Sequence, residues 1–599
     1  MAKAGKILYL LGATAVLSAC ASGKGSFETE RIESAKADMK SSETQLTDDT
    51  SAPRPSEEQL AALMEPSLGA AIKIPLRNRH PQNMESHAKL NANDIETLND
   101  GSLEVPYQAE LKSARNGSGW ITHTHDGYGE THKRDLQYVR SGYVQDYETS
   151  SLIDFGQQIF KQGPNGYVYY RGINPATQLP VNQTVHYRGT WDFVTDAKLG
   201  REQGDFSASL NRSPSDLFGA TSMHEPTHNQ QGQDAEGQPY GIGHSSEFTV
   251  DFGAKSLTGR LLKNSTVKNQ HQDVVERYTV KATLHGNRFR GTATASDPNH
   301  LHFGQHSSSL EGGFFGDQAE ELAGKFMADD QSLFAVFAAK QAHAIAPTQA
   351  AFDARKITVQ QQDGLTDIAE GRLDTFGNAT KLVIDGQSFS LLPTAAAGAF
   401  TQVLKYQLAD DKKLNIDVCC SNLDYTKFGL YFNEGSQNYA YFLTGERTSE
   451  DKIAAQTGNV QYKGTWAGTM VSKDNSKVWV SDAAHPDQGG RAILNFDFGA
   501  KTFQGGLYGK NSVNPTLTLN GTIERNGFSG TAKTVEGGFN IDPNSTGASA
   551  YLNIHAAVNG AFYGPNAQEV GGTVYSNEAN QDKVGAVFGA KRQVSVSQP

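Results

Sequence analysis

From Tyr187 onward, apolar and polar residues alternate in short runs, as in Phe248-Thr-Val-Asp-Phe252 and Tyr278-Thr-Val-Lys-Ala-Thr-Leu284. A period of two puts successive side chains on opposite faces, so each run predicts a strand with one buried face and one wet face. Gly253-Ala-Lys255 and His285-Gly-Asn287 interrupt the runs with turn-forming residues. Short, evenly spaced strands of this kind predict a closed antiparallel barrel. One helical turn is expected from Asp317 to Leu322, inside the barrel's last hairpin.

The same text is written twice. Tyr187-Arg-Gly-Thr-Trp191 recurs as Tyr462-Lys-Gly-Thr-Trp466, Asp251-Phe-Gly-Ala-Lys255 as Asp497-Phe-Gly-Ala-Lys501, and Asn287-Arg-Phe-Arg-Gly-Thr-Ala293 as Asn526-Gly-Phe-Ser-Gly-Thr-Ala532. Two longer blocks follow in the same order, Leu310 to Gly324 answered by Val558 to Gly572, and Phe334 to Gln341 answered by Ala586 to Gln593. Five blocks in one order predict two homologous lobes, too few and too long for a solenoid. At 599 residues the chain exceeds what one core supports, and two lobes of two domains fit the length.

Ahead of each barrel pattern the spacing is less regular. Aromatic and β-branched runs recur at Trp120-Ile-Thr-His123, Tyr138-Val139, Tyr143-Val144 and Tyr167-Val-Tyr-Tyr-Arg171, and Gly163-Pro-Asn-Gly166 is a turn signal that starts a strand at Tyr167. In the second lobe Phe428-Gly-Leu-Tyr431 answers Ser141-Gly-Tyr143, and Tyr439-Ala-Tyr-Phe442 answers Tyr167-Val-Tyr-Tyr170. Each barrel is thus preceded by a small sheet with long loops. From about Ala342 to Gln361 no clear period exists, which reads as a linker between lobes.

Composition adds the class. Glycine at 61 residues with only 37% hydrophobic residues suits many short strands and glycine-bearing turns, hence an all-β-dominated chain. A net charge of −12 without a basic patch excludes nucleic acid as a partner. The first residues carry Lys3 and Lys6, an apolar run from Ile7 to Val16, and Leu17-Ser-Ala-Cys20. This is a secretory signal ending in a bacterial lipobox, which predicts lipidation of Cys20 and attachment to a membrane surface. Residues 21 to 62 hold few large apolar side chains and predict a flexible leash.

Candidate chemistry is sparse. His224-Glu-Pro-Thr-His228 fits the H-E-x-x-H zinc pattern, but that geometry needs a helix and Pro226 sits inside it, so a long inter-strand loop is expected. His300-Leu-His302 shares a strand face without an identifiable third ligand, and no metal site is assigned. Cys419 and Cys420 are adjacent; a disulfide between them and two buried thiols are both open. With no nucleophile elbow, phosphate loop or dinucleotide fingerprint, neither an enzyme nor a cofactor is expected. The cluster Tyr167, Tyr169, Tyr170 and Arg171 carries large rigid contact area with polar tips, the chemistry of protein interfaces, although alternate members also suit sheet packing.

These residues together resemble one family. The lipobox with Gly25-Ser-Phe27, Leu179-Pro-Val-Asn182 before Tyr187, the Glu-Gly-Gly-Phe-Phe-Gly block from Glu311, Val418-Cys-Cys420 with Lys427-Phe-Gly-Leu-Tyr431, and the terminal Val587-Phe-Gly-Ala-Lys-Arg-Gln593 are similar to those of transferrin-binding protein B. The resemblance implies a bilobed outer-membrane surface lipoprotein, each lobe a β-rich handle domain followed by an eight-stranded antiparallel barrel. The implied boundaries are signal 1–19, anchor 20–62, handle 63–185, barrel 186–342, linker 343–365, handle 366–458 and barrel 459–599. Such a protein captures iron-loaded host transferrin and presents it to a TonB-dependent outer-membrane channel. By the same resemblance the transferrin site lies at the cap of the first handle, at Tyr167, Val168, Tyr169, Tyr170 and Arg171, with Tyr143 beside them. The rival reading is a related bilobed receptor for lactoferrin, whose long acidic runs the second lobe lacks.

Overall fold

A computed structural model of the chain describes residues 46–51, 68–114, 120–123, 136–146, 150–206, 213–227, 243–268, 271–345, 349–376, 380–384, 387–392, 401–408, 412–481, 490–509, 512–542 and 550–595. It is nearly all strand, in two compact units: Ser56–Ala354 with Leu373–Ser390, and the chain up to Pro55 with Arg355–Arg372 and Leu391 onward. Cys20, and the anchor before Leu46, lie outside the described residues.

The barrel of the first unit closes through eight strands in chain order: Thr184–Thr195, His244–Asp251, Ser256–Lys268, His271–His285, Arg288–Ala295, Ser307–Phe315, Glu321–Met327 and Leu333–Gln341. Its last strand returns to the first, from Tyr187 opposite Gln341 to Thr195 opposite Leu333. The apolar positions of the alternating pattern, among them Phe248, Val250, Tyr278, Phe289 and Phe337, fill the interior around Trp191. No helical turn forms at Asp317 to Leu322: a turn ends there and a strand starts at Glu321, whose carboxylate is needed elsewhere.

The second unit repeats the plan with Asn459–Val471, Arg491–Asp497, Thr502–Tyr508, Pro515–Glu524, Gly527–Lys533, His555–Tyr563, Glu569–Ser576 and Lys583–Ser595, closing through ten residue pairs between Tyr462–Val471 and Lys583–Arg592. Two short strands extend this sheet, Val478–Val480 on one side and Leu46–Asp48 on the other.

The repeated sequence blocks are repeated local solutions. In each Asp-Phe-Gly-Ala-Lys turn the aspartate Oδ1 accepts the alanine amide at 2.8 Å, and the lysine takes a left-handed φ of 54°. In each Tyr-x-Gly-Thr-Trp block the tyrosine hydroxyl donates to a turn carbonyl, Ala319 or Ala567, at 2.7 Å, and the indole N–H donates to Leu262 or Tyr508. The glycine between them permits barrel closure: a Cβ on Gly189 would sit 1.8 Å from the Ala338 carbonyl oxygen, and one on Gly464 1.9 Å from that of Gly589.

Each handle is a sheet carried by its barrel. The first orders as Glu96–Thr97, Gly69–Lys73, Gly166–Gly172, Val139–Asp146 and Trp120–His123. The second orders as Leu365–Arg372, Phe352–Gln362, Tyr439–Glu446, Thr426–Asn433, Lys413–Cys419 and Thr401–Gln407. The stretch read as an inter-lobe linker therefore already carries a long strand from Phe352. Thr358, Gln360 and Gln362 lie on its exposed face, and Gln361 on the other face breaks the apolar period of Ile357 and Val359. A hairpin of the second handle's sequence, Lys381–Ile384 with Gln387–Ser390, belongs instead to the first unit, where Phe376 meets the Phe315 ring at 5.6 Å.

One carboxylate fixes each handle to its barrel. Glu321 accepts the amides of Gln137, Tyr138 and Val139 at 2.7, 2.8 and 3.0 Å; Glu569 accepts those of Asp424, Tyr425 and Thr426 at 2.6, 3.0 and 3.0 Å. Burial pushes both carboxyls above their ordinary range, and in the second lobe Lys591, 3.1 Å from Glu569, pulls back.

Candidate docking surface of the first handle

The strand Gly166–Gly172 runs through the middle of the first handle sheet, paired on one side with Gly69–Lys73 and on the other with Val139–Asp146. Both of its faces are covered. Val168, Tyr170 and Tyr143 pack toward the barrel against Phe315, Phe334 and Val336. Tyr167 and Tyr169 face the other way, with Ala71, Leu111 and Val144, beneath the helix Gln108–Ala114.

The polar tips are engaged as well. The Tyr167 ring stacks on Tyr107 at 3.7 Å, and its hydroxyl donates to Glu110 Oε2 at 3.0 Å. Burial first, and then the neighbouring Glu110 carboxylate, push the Tyr167 hydroxyl well up. Arg171 donates to the Glu104 carbonyl and the Asp100 carboxylate. Tyr143, Tyr167, Val168, Tyr169, Tyr170 and Arg171, which the resemblance places at the transferrin contact, are all buried here and build the sheet's two packed faces.

What the handle exposes is next to them. Ser150–Asp154 and Ile159–Gly163 form a separate two-stranded hairpin, and at its outer end Leu152 is 55% exposed, Ile153 49% and Phe155 73%. The hairpin stands on a fixed base. Asn78 donates from its side chain to the Gln158 carbonyl at 2.9 Å and accepts the Phe160 amide at 2.8 Å; the Arg79 guanidinium lies over the Phe160 ring. Beneath, the buried Arg77 fork donates to the Asp216 carboxylate and carbonyl and to the Glu85 carbonyl. Sequence reading passed over Leu152-Ile-Asp-Phe155, although three large apolar residues beside Gly156 at a hairpin tip was the available signal.

The zinc-like string is structural. Ser222–His224 is one 3₁₀ turn, with His224 buried and its Nδ1 accepting the Thr221 amide at 3.0 Å. Burial drives His224 down to about 4. Burial alone would raise Glu225, but the His244 hydrogen bond at 2.8 Å and the cations Arg277 and Lys263 hold it at about 2. His228 lies outside the described residues. His302 stacks on Phe206 and donates to the Gln203 carbonyl, while His300 turns to Asp205. Among the described residues no three His, Cys, Asp or Glu side chains converge as a metal site. Cys419 and Cys420 are buried and joined by a disulfide.

Comparison with known proteins agrees with this architecture domain by domain. Residues 45–176 match the N-lobe handle of Tf-binding protein B, 349–448 its C-lobe handle domain, and 179–341 with 455–592 its N-lobe and C-lobe β-barrels. A transferrin-binding protein B of Neisseria meningitidis serogroup B is 37% identical, over 96% of this chain and 97% of its own. One from Moraxella catarrhalis is 36% identical over 80% of this chain and 70% of its own. Among solved structures, intact Ap-TbpB with both lobes aligns at a TM-score of 0.73, 36% identity, 92% of this chain and 99% of that one. The isotype 1 protein of Neisseria meningitidis serogroup B aligns at 0.74, 37% identity, 88% and 100%. With two handles and two eight-stranded barrels in the matching order along nearly its whole length, the chain belongs to the transferrin-binding protein B family.

Proposed function

We propose that this protein is a bacterial cell-surface receptor that captures iron-loaded host transferrin. In this reading it is lipid-anchored through Cys20 to the outer membrane and passes its ligand to a TonB-dependent channel. The names of its relatives support the ligand, and the exposed hairpin of the first handle supports the place. Leu152, Ile153 and Phe155 present apolar area on a rigid base, the combination that gives interface hot spots. Tyr143 and the segment Tyr167 to Arg171 serve as the platform that holds the first handle's cap in shape. Preference for the iron-loaded form requires contacts that only its closed conformation offers, since equal affinity for both forms selects neither.

Binding of the protein to iron-loaded and iron-free transferrins from several mammals, with lactoferrin alongside, tests this. The expected result is tight iron-dependent binding to one host's transferrin, weakened about tenfold or more by Phe155→Ala, about 1.4 kcal/mol. Binding to lactoferrin alone, or equal affinity for both iron states, would overturn the reading.

A further inference from the structure

The short strand Leu46–Asp48 lies antiparallel to the end of the last barrel strand, Leu46 opposite Ser595, Thr47 opposite Val594 and Asp48 opposite Gln593. That end is free to accept it. The barrel-closing ladder stops at Arg592 and the ladder from Glu569–Ser576 stops at Lys591, so Gln593–Ser595 project beyond both neighbours. Among the described residues the first barrel has no counterpart: its last strand ends at Gln341, and the next amide, of Ala342, donates to the His186 carbonyl.

The contact is more than a ladder. Asp48 is buried, with one carboxylate oxygen accepting from Asn422 Nδ2 at 2.9 Å and the other from Gln593 Nε2 at 2.7 Å. The Asp49 amide donates to the Arg592 carbonyl at 2.8 Å, and its carboxylate lies 4.0 Å from the Arg592 guanidinium. Asn422 comes from the second handle and Gln593 from the barrel. The Asn422 carbonyl is held by Lys591 Nζ at 2.8 Å, the same ammonium that pairs with Glu569 at the handle–barrel clamp. A carboxylate buried without these two amide donors would be strongly disfavoured, so the site selects an aspartate at this register.

We infer that the second lobe carries a peptide-binding site for an extended acidic segment, built jointly by Asn422 and the projecting end of the last strand. Its resident ligand is this chain's own Leu46–Asp49, which exchanges on and off. Addition of a strand to an open ladder is a recurring mode of peptide capture, with side-chain pockets supplying specificity. Three residue pairs hold this strand against ten in the barrel's closing ladder, so it opens long before the barrel does. The inference goes beyond transferrin capture and does not depend on it.

Hydrogen exchange on the full-length protein tests it, with no transferrin present. The amides of Leu46 to Asp49 are expected to exchange at least tenfold more slowly than in a free synthetic peptide spanning Gln45 to Ser51. Asp48→Ala, and on the other side of the contact Asn422→Ala, should return them to the free-peptide rate while both barrels keep their protection. Adding the synthetic peptide to the Asp48→Ala protein should restore protection at Gln593 to Ser595, and a peptide carrying the same substitution should not. Free-peptide rates in the unaltered protein, protection indifferent to both substitutions, or no rescue by added peptide would each overturn the inference.

Discussion

Three backbone amides aimed at one buried carboxylate form a unit that recurs in both lobes. Removing Glu321 takes away the carboxylate that accepts the amides of Gln137, Tyr138 and Val139, and the cost of losing a buried acceptor is about 1–3 kcal/mol per donor before relaxation. Glu321→Ala should therefore lower unfolding free energy in denaturant by roughly 3 kcal/mol. Glu569→Ala should cost more, because it also leaves the buried Lys591 with Asp424 as its one charged partner among the described residues. Equal stability of either variant and the parent would refute the clamp. At this scale the sequence was informative where chemistry is local: Asp251 with Ala254, and Asp497 with Ala500, need nothing outside their own turn. At Tyr167 to Arg171 it does not separate packing from contact, because tyrosine and arginine have the same appearance in a packed sheet as at an interface. Tyr169→Ala is thus expected to destabilise the handle by about 3–5 kcal/mol, as large core truncations do, whereas Phe155→Ala should leave stability within about 0.5 kcal/mol. Thermal melting of the two variants separates a core role from a surface one.

At the scale of elements, alternation predicted the barrel strands because each has one wet face and one dry face. It could not rank the strands of the handle. A central strand covered on both sides, such as Gly166–Gly172, and an exposed hairpin such as Ser150–Gly163 both present runs of large residues. What separates them is which neighbours flank them, and those come from distant parts of the chain: Gly69–Lys73 for the former, Asn78 and Arg79 for the base of the latter. The strand Phe352–Gln362 was hidden for a related reason, its polar face being rich in Gln and Thr. A chain in which Leu152, Ile153 and Phe155 are all replaced by Ser should keep the far-ultraviolet spectrum and melting profile of the parent and lose transferrin binding. Retained binding would move the surface elsewhere on the handle.

The two units of the whole molecule carry different titratable interiors. In the first, His224 is buried neutral and held at about 4 against an ordinary 6.5, so its contribution is complete above pH 6.5 and is lost as pH falls toward 4. That loss amounts to roughly 3 kcal/mol. His285 shifts in the same direction, and Glu225 adds a further loss only below its ordinary 4.5. In the second unit the one described histidine, His555, is exposed, while burial raises Asp417 to about 6. Protonating Asp417 as pH falls below 6 relieves a penalty. Glu321 and Glu569, one in each unit, are both raised by burial. Calorimetry between pH 7 and pH 4 should show the first unit's transition falling relative to the second's, and His224→Asn should reduce that separation; parallel behaviour of the two units would contradict it. The strand Leu46–Asp48 bears on a different quantity, the reach of the molecule above a surface. With a lipid on Cys20, the 26 residues from Cys20 to Gln45 span at most about 90 Å in any arrangement, and that sets the ceiling while the strand is seated. Once it lets go, a chain held from Leu68, the next described residue after Ser51, has 48 residues from Cys20 and a ceiling of roughly 165 Å. Under the proposed lipid anchoring, three residue pairs thus decide how far from the membrane the protein can reach.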